Sequence, residues 1–293
     1  MRRLLRLFLM LLFGGMIAAV VFIHAAGEML SRPARSVVGK PPADLPAEIV
    51  EFRTAGGGVI SGWWIRSGAR QGAILLLHGI RGDRRSMIGR TRFLRGLGYS
   101  VLLVDLPAHG ESSGERITFG RHESLGVDAA LLWLAREAPA QKIGVIGVSL
   151  GAASMVFSHP AHLPDAVILE SMFPTIEEAV ADRLNLHLGA VGEWLAPLLT
   201  WQLPWRLGFS TQQLRPIDAT ASLRAPLMIV SGAADRHTTL AETKRIFDTA
   251  RMCQCGERKL WIVDGAAHVD LHGFAKTMYE EKIGAFLAAH LSQ

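Results

Sequence analysis

A turn built on Gly147-Val148-Ser149-Leu150-Gly151 constrains this chain more than any other feature, because of what flanks it. Lys142 to Val148 is a short β-rich run, and Gly151-Ala152-Ala153-Ser154-Met155 reads as the start of a helix. A Gly-x-Ser-x-Gly between strand and helix forces the serine into a strained backbone conformation. Side chains two positions either side of it would collide with the helix or the neighbouring strand, so glycine is required there. The serine Oγ is thereby pushed out at the carboxyl edge of a sheet. Taken alone, the five residues also read as an ordinary Gly/Ser-rich strand-to-helix turn, and the rest of the chain has to decide.

A serine hydroxyl is a weak nucleophile at neutral pH. It needs a base, and the base needs an orienting acid. Pro226-Leu227-Met228-Ile229-Val230 is an apolar β-run ending in Ser231-Gly232-Ala233-Ala234-Asp235. Lys259-Leu260-Trp261-Ile262-Val263 is another, ending in Asp264-Gly265-Ala266-Ala267-His268. The order Ser149, Asp235, His268, each just past a strand, is that of a serine nucleophile with its acid and base. Glu170, past the strand after the elbow strand, is a rival acid, and His272 a rival base. Asp264 and Asp270 read as loop caps, and His159 and His162 as surface loop residues.

Ala73-Ile74-Leu75-Leu76-Leu77 is the continuous apolar run of a strand buried on both faces, and it leads into His78-Gly79-Ile80-Arg81-Gly82. The backbone N–H groups of Leu150 and Ile80 are the expected oxyanion donors, with His78 shaping their loop by hydrogen bonding. Removing one such donor typically costs about 10²–10³ in rate. Ser100 to Val104 is a further strand, followed by Asp105 to Gly114, where Asp105 and His109 read as loop-organising. On these segments (His78-Gly79, Asp105 to Gly114, the elbow, Gly232 to Asp235, Gly265 to His268) the chain resembles the α/β-hydrolase superfamily. Within it the likeness is to small serine esterases, lipases and serine-aminopeptidase-like members, and it covers roughly Glu48 to the C-terminus. Ala108-His109-Gly110-Glu111 stands where the family often carries Arg-Gly-x-Gly, a departure that leaves the triad untouched.

The coarse pattern agrees. Ile49 to Arg53 and Val59 to Ile65 flank Gly56-Gly57-Gly58, which predicts an antiparallel hairpin. Helices are expected over 84–97, 120–137, 152–157, 240–249 and 274–290. Strands alternating with helices predict an α/β fold, a mostly parallel doubly wound sheet with flanking helices and reactive groups at the strands' carboxyl ends. One catalytic domain is expected over 48–293. The stretch 173–225 is too long for a simple crossover and predicts an inserted helical cap rich in leucine. Its Trp194, Trp201 and Trp205 are candidate substrate-binding residues for an apolar acyl group; they could equally pack the cap onto the domain or dip into a membrane surface.

The mean hydropathy of +0.26 is high for a soluble enzyme, and the amino terminus accounts for part of it. Met1-Arg2-Arg3-Leu4-Leu5-Arg6 is basic, and Leu7 to Ile23 carries no charged or strongly polar residue. This length suits a spanning helix, for which about 17–25 residues are needed. Residues 1–27 are therefore expected to be a membrane anchor, although Ala25-Ala26-Gly27 leaves signal cleavage before Glu28, and so secretion, open. Basic residues on both flanks blur the orientation; their crowding at Arg2, Arg3 and Arg6 favours a catalytic domain outside the cytoplasm. Residues 28–47, with Pro33, Pro41, Pro42 and Pro46, read as a linker.

Other chemistries find no support in the sequence. The 11 histidines lack metal-ligand spacing, so neither metal nor cofactor is expected. Cys253 and Cys255 are too close in sequence for an unstrained mutual disulfide and lack the Cys-x-x-Cys redox spacing. The net charge of +5 comes from scattered arginines with no basic stripe, which fits anionic lipid better than nucleic acid. The resulting expectation is an anchored serine hydrolase that cleaves small-molecule or lipid esters, thioesters included, through an acyl-enzyme. Amide cleavage at a peptide's amino terminus is an alternative, for which Glu177, Glu178 or Asp182 would hold the amine. A non-catalytic membrane-tethered scaffold of the same fold is the alternative of another class.

Overall fold

The apolar runs become the centre of a sheet, with motif residues at its edge. The computed structural model describes residues 2–69, 71–253 and 255–292; Met1, at the start of the expected anchor, lies outside them. In chain order the elements are α1 (Arg2–Ser31), β1 (Ala34–Arg35), β2 (Glu48–Arg53), β3 (Val59–Ile65), β4 (Ala73–Leu77), α2 (Ile88–Gly96), β5 (Ser100–Val104) and β6 (His109–Gly110). There follow α3 (Glu123–Glu137), β7 (Ile143–Val148), α4 (Leu150–Phe157), β8 (Ala166–Glu170), α5 (Ile176–Leu188), α6 (Val191–Thr200), α7 (Leu203–Leu207) and α8 (Pro216–Thr220). The chain closes with β9 (Leu227–Gly232), α9 (Leu240–Arg251), β10 (Arg258–Val263), α10 (Leu271–Phe274) and α11 (Lys276–Leu291).

Eight strands form one sheet in the order β10-β9-β8-β7-β4-β5-β3-β2. The expected hairpin is β2 against β3; β3 also runs antiparallel to β5, and the remaining pairs are parallel. Because side chains alternate across a strand, β4 sends Leu75 and Leu77 into one core and Ile74 and Leu76 into the other. Residues of α3, α4 and α9 fill the first core, and those of α2 and α11 the second. All five β4 side chains are fully buried, each leucine or isoleucine contributing about 1.5–3 kcal/mol by leaving water.

Register sets the site. Leu77 pairs with Gly147, so the loop after β4 and the elbow after β7 emerge side by side. Val263 pairs with Gly232, so the loops carrying Asp235 and His268 are neighbours too. The segment between β8 and β9 is helical, α5 and α6 forming its main hairpin, with Thr175 capping α5 through Glu178 N–H.

Helix α1 is 30 residues, long and apolar enough to span a membrane or to be a signal sequence. It runs through Leu30, past the expected end of the apolar segment. The proline-rich segment is no free tether. β1 pairs with β6, Ser36 Oγ donates to Asp83, and the Val38 and Gly39 N–H groups donate to Glu111. Polar backbone contacts hold it down where its composition alone suggested a spacer. Cys253 and Cys255 are joined as a disulfide despite their close spacing, their Cα atoms 5.2 Å apart, inside the usual range for such bonds.

Candidate active site

Ser149 sits between β7 and α4 at φ 50°, ψ −104°, a conformation that costs about 1–3 kcal/mol and is held by its surroundings. Its N–H donates to the Glu170 carbonyl (2.8 Å) and its carbonyl accepts from Ala153 N–H (3.0 Å). A Cβ on Gly147 would stand 2.7 Å from the Gly151 backbone, and one on Gly151 2.5 Å from the Leu77 carbonyl oxygen. Neither contact can be relieved by a side-chain rotation, which is why both positions are glycine.

Asp235 and His268 meet across their two loops. His268 Nδ1 donates to Asp235 Oδ2 at 2.8 Å, while Asp235 Oδ1 accepts the His237 and Thr238 N–H groups at 2.8 and 3.0 Å. Burial alone would raise the Asp235 pKa; the bond and charge of His268 and the two backbone donors outweigh it and hold the carboxyl below its ordinary value. His268 and Ser149 line one open cleft of about 490 Å³. A histidine whose Nδ1–H is held by a buried carboxylate has Nε2 left to take a proton from a hydroxyl.

Leu150 opens α4, so its N–H has no acceptor within the helix, and Ile80 follows β4 by three residues; both line the narrow slot beside Ser149. His78 Nε2 accepts Leu106 N–H at 3.0 Å, so its Nδ1 carries the proton and donates to the Gly79 carbonyl at 2.8 Å. Full burial pulls its pKa down to about 4 and keeps it neutral, fixing this loop as a clip would. A second clip is Arg84, buried without exposure, which binds Asp105 and Glu111 and stacks on Trp63 at 4.9 Å. Glu111 in turn holds the segment 38–39, tying it and the loop after β5 to the segment after β4. His109, ring to ring with His78 at 5.1 Å, is likewise pulled down to about 4 by burial and by His78.

Glu170 is occupied elsewhere. Arg90 donates to both its oxygens (3.2 and 2.6 Å), Tyr279 Oη donates to Oε1, and Arg90 also reaches Asp270 at 2.7 Å. His272 is buried against Phe93 and Tyr279 and donates to Glu280. Neither rival meets its counterpart. Among the described residues no group of three or more His, Cys, Asp or Glu could hold a metal ion.

The cap tryptophans do not line the slot or the cleft beside Ser149. Trp194, Trp201 and Trp205 are 84, 64 and 72 % exposed. Trp201 and Trp205 line instead, with Val20, Ile23 and Leu198, a groove of about 580 Å³ between α1 and the cap. An apolar stripe on a helix says that something apolar covers it, not what, and here part of the stripe faces α1. The slot is lined by Leu30, Phe119, Phe173, Ile176, Ala179 and Val180. Arg183 and His237 escaped the sequence reading. Arg183 lines both slot and cleft, and the His237 ring lies tilted against that of His268 at 4.9 Å between centroids. The spacing of Ile176, Ala179, Val180 and Arg183 was the available signal, since residues at i, i+3, i+4 and i+7 share one helix face.

Comparison with known proteins places this geometry. The sequence profile of the Alpha/beta hydrolase family matches residues 74–278. An uncharacterized protein of Mycobacterium tuberculosis is 28 % identical over 271 residues, covering 87 % of this chain and 88 % of its own. Human monoglyceride lipase is 22 % identical over 276 residues, covering 82 % and 88 %. Among solved structures the esterase Pf2001 of Pyrococcus furiosus superposes with a TM-score of 0.73 at 26 % identity, covering 89 % of this chain and 100 % of that one. With its sheet order, its elbow and a family profile spanning most of its length, the chain belongs to the alpha/beta hydrolase family.

Proposed function

We propose that this protein is a membrane-anchored serine hydrolase of carboxylic esters, with Ser149 as nucleophile, His268 as general base and Asp235 as its orienting acid. Likeness to an esterase and a lipase supports a hydrolase; the Asp235–His268 hydrogen bond opening onto the cleft of Ser149 carries the reading further. His268 takes the Ser149 proton as Oγ attacks the ester carbonyl carbon. The N–H groups of Leu150 and Ile80 hold the oxyanion, and Asp235 stabilises the imidazolium. Collapse expels the alcohol with the proton from His268. Water, deprotonated by His268, then releases the acid from the acyl-enzyme.

The slot beside Ser149 takes the acyl group and the wider cleft the alcohol. The slot is only about 40 Å³, so short acyl groups are the favoured substrates, with longer chains admitted as Leu30 or the cap gives way. Helix α1 is the anchor, and the exposed Trp194, Trp201 and Trp205 beside it rest at the headgroup level, where tryptophan is enriched. Supporting this arrangement, Gln202 donates to the Ile23 carbonyl and Arg206 pairs with Glu28, binding the cap to α1, while Arg116, from the loop before α3, also pairs with Glu28.

Amide cleavage at a free amino terminus is less well supported. Its amine would need an unpaired carboxylate in the cleft, but Asp270 there is bound by Arg90, Glu178 pairs with Arg245, Glu177 faces a separate groove, Asp182 lies against Glu242, and the cap charge beside Ser149 is the cation of Arg183. Hydrolysis of p-nitrophenyl esters from acetate to dodecanoate by the full chain in detergent, with Ser149→Ala as control, tests the proposal. Turnover highest at the short end and absent in the variant is expected. A folded protein that cleaves none of them would favour the non-catalytic scaffold.

A further inference from the structure

Among the described residues Arg183 is the cleft-lining arginine held in no ion pair; the Asp182 and Asp235 carboxylates stand near enough to favour its charge, but burial outweighs them and pulls its pKa down. Arg90, also on the wall, is bound by Glu170 and Asp270. The only hydrogen bond Arg183 makes among the described residues runs from Nη1 to the Ala179 carbonyl of its own helix (2.8 Å), and it forms no ion pair with them. A guanidinium carries five N–H donors in a fixed fork matched to carboxylate and phosphate, so most of its capacity is unspent. Two further polar groups on the same cleft are unspent as well: Ser171 Oγ, on a residue only 4 % exposed, and the buried His237 Nδ1. His237 and Arg183 stand close enough for the cation to help depress the imidazole pKa, after burial and His268.

We infer that Arg183, with Ser171 and His237 beside it, forms a subsite for an anionic group on the alcohol part of the ester. This rests on the reading of Ser149 as nucleophile. Arg183 lines both the apolar slot and the polar cleft. An acyl group in the slot leaves the alcohol in the cleft, where the carboxylate or phosphate it carries meets the free fork. The anion has two sources, a lipid headgroup or a soluble organic anion. In either case Arg183 is a specificity residue that binds substrate and takes no part in proton transfer.

The experiment measures kcat/KM for two substrate pairs in wild type, Arg183→Gln and Arg183→Lys, using the full chain in nonionic detergent. The soluble pair is phenyl acetate and 4-sulfophenyl acetate; the lipid pair is 1-hexanoylglycerol and its 3-phosphate. Leaving-group reactivity within a pair is the same for every variant, so the anionic-to-neutral ratio isolates the subsite. Loss of a charged hydrogen bond should lower that ratio by roughly tenfold or more in Arg183→Gln, mainly through KM. Arg183→Lys should recover part of it, and rising salt should erode the wild-type preference. A fall confined to the lipid pair assigns the headgroup, one confined to the soluble pair a free organic anion, and both results support the subsite. Ratios unchanged in both pairs overturn it. Labelling of wild type and variants with a neutral fluorophosphonate keeps the two claims apart. Labelled enzyme with unchanged ratios refutes the subsite alone, whereas unlabelled wild type refutes the nucleophile on which it rests.

Discussion

Replacing Arg90 by Met tests the packing beneath the elbow. Arg90 is 3 % exposed and Glu170 1 %, and the carbonyl of Glu170 holds Ser149 N–H at 2.8 Å. The substitution leaves a buried carboxylate whose remaining partner is the Tyr279 hydroxyl. Removing one member of a buried pair costs about 3–5 kcal/mol, because the other charge stays in a low-dielectric site. At about 2–4 °C per kcal/mol for a domain of this size, the melting temperature should fall by roughly 6–20 °C. Arg90→Met/Glu170→Gln removes the stranded charge and should be less destabilised than Arg90→Met alone, a non-additivity that marks direct coupling. Thermal unfolding followed by circular dichroism in detergent reads both. A loss under about 1 kcal/mol in the single variant, or strict additivity in the double, would refute the reasoning.

Asp235→Asn should lower kcat about 10⁴-fold while leaving the melting temperature close to wild type, since the amide keeps its place but holds His268 in the wrong tautomer; a small effect would return Glu170 to contention. Leu30→Ala should widen the slot and raise hexanoate over acetate turnover by about fourfold per methylene accommodated, measured on the p-nitrophenyl series. Burial, then the Glu242 and Glu178 carboxylates, push the Asp182 pKa from its ordinary 3.8 up to about 7. The folded protein then binds more protons than the unfolded chain between those values, so this group's contribution to stability is lost as pH rises from about 4 to 7. Asp182→Asn should flatten that decline and raise the melting temperature at pH 8 relative to pH 5.

Much of the fold was legible because its strands announce themselves. Ala73 to Leu77 and Leu227 to Gly232 are apolar runs bounded by turn residues, and parallel strands buried on both faces have to be written that way. Ser149, Asp235 and His268 could be nominated because each follows such a run, and the structure brings the last two into contact. The two-residue pairing of Ala34–Arg35 with His109–Gly110 carries no pattern at all. The direction of the cap tryptophans was equally hidden, since an apolar stripe reads alike whether it meets a core, a substrate, another helix or lipid. Arg183 was hidden differently: its spacing was visible, but nothing local says which helix face turns toward a serine on a distant strand.

The measurement closest to the central claim is mass-spectrometric mapping of a fluorophosphonate adduct on the full chain, in wild type, Ser149→Ala and His268→Ala. The account predicts one adduct, on Ser149, absent from the first variant and formed far more slowly in the second. An adduct elsewhere, or a wild-type protein that stays unmodified while folded, would contradict it.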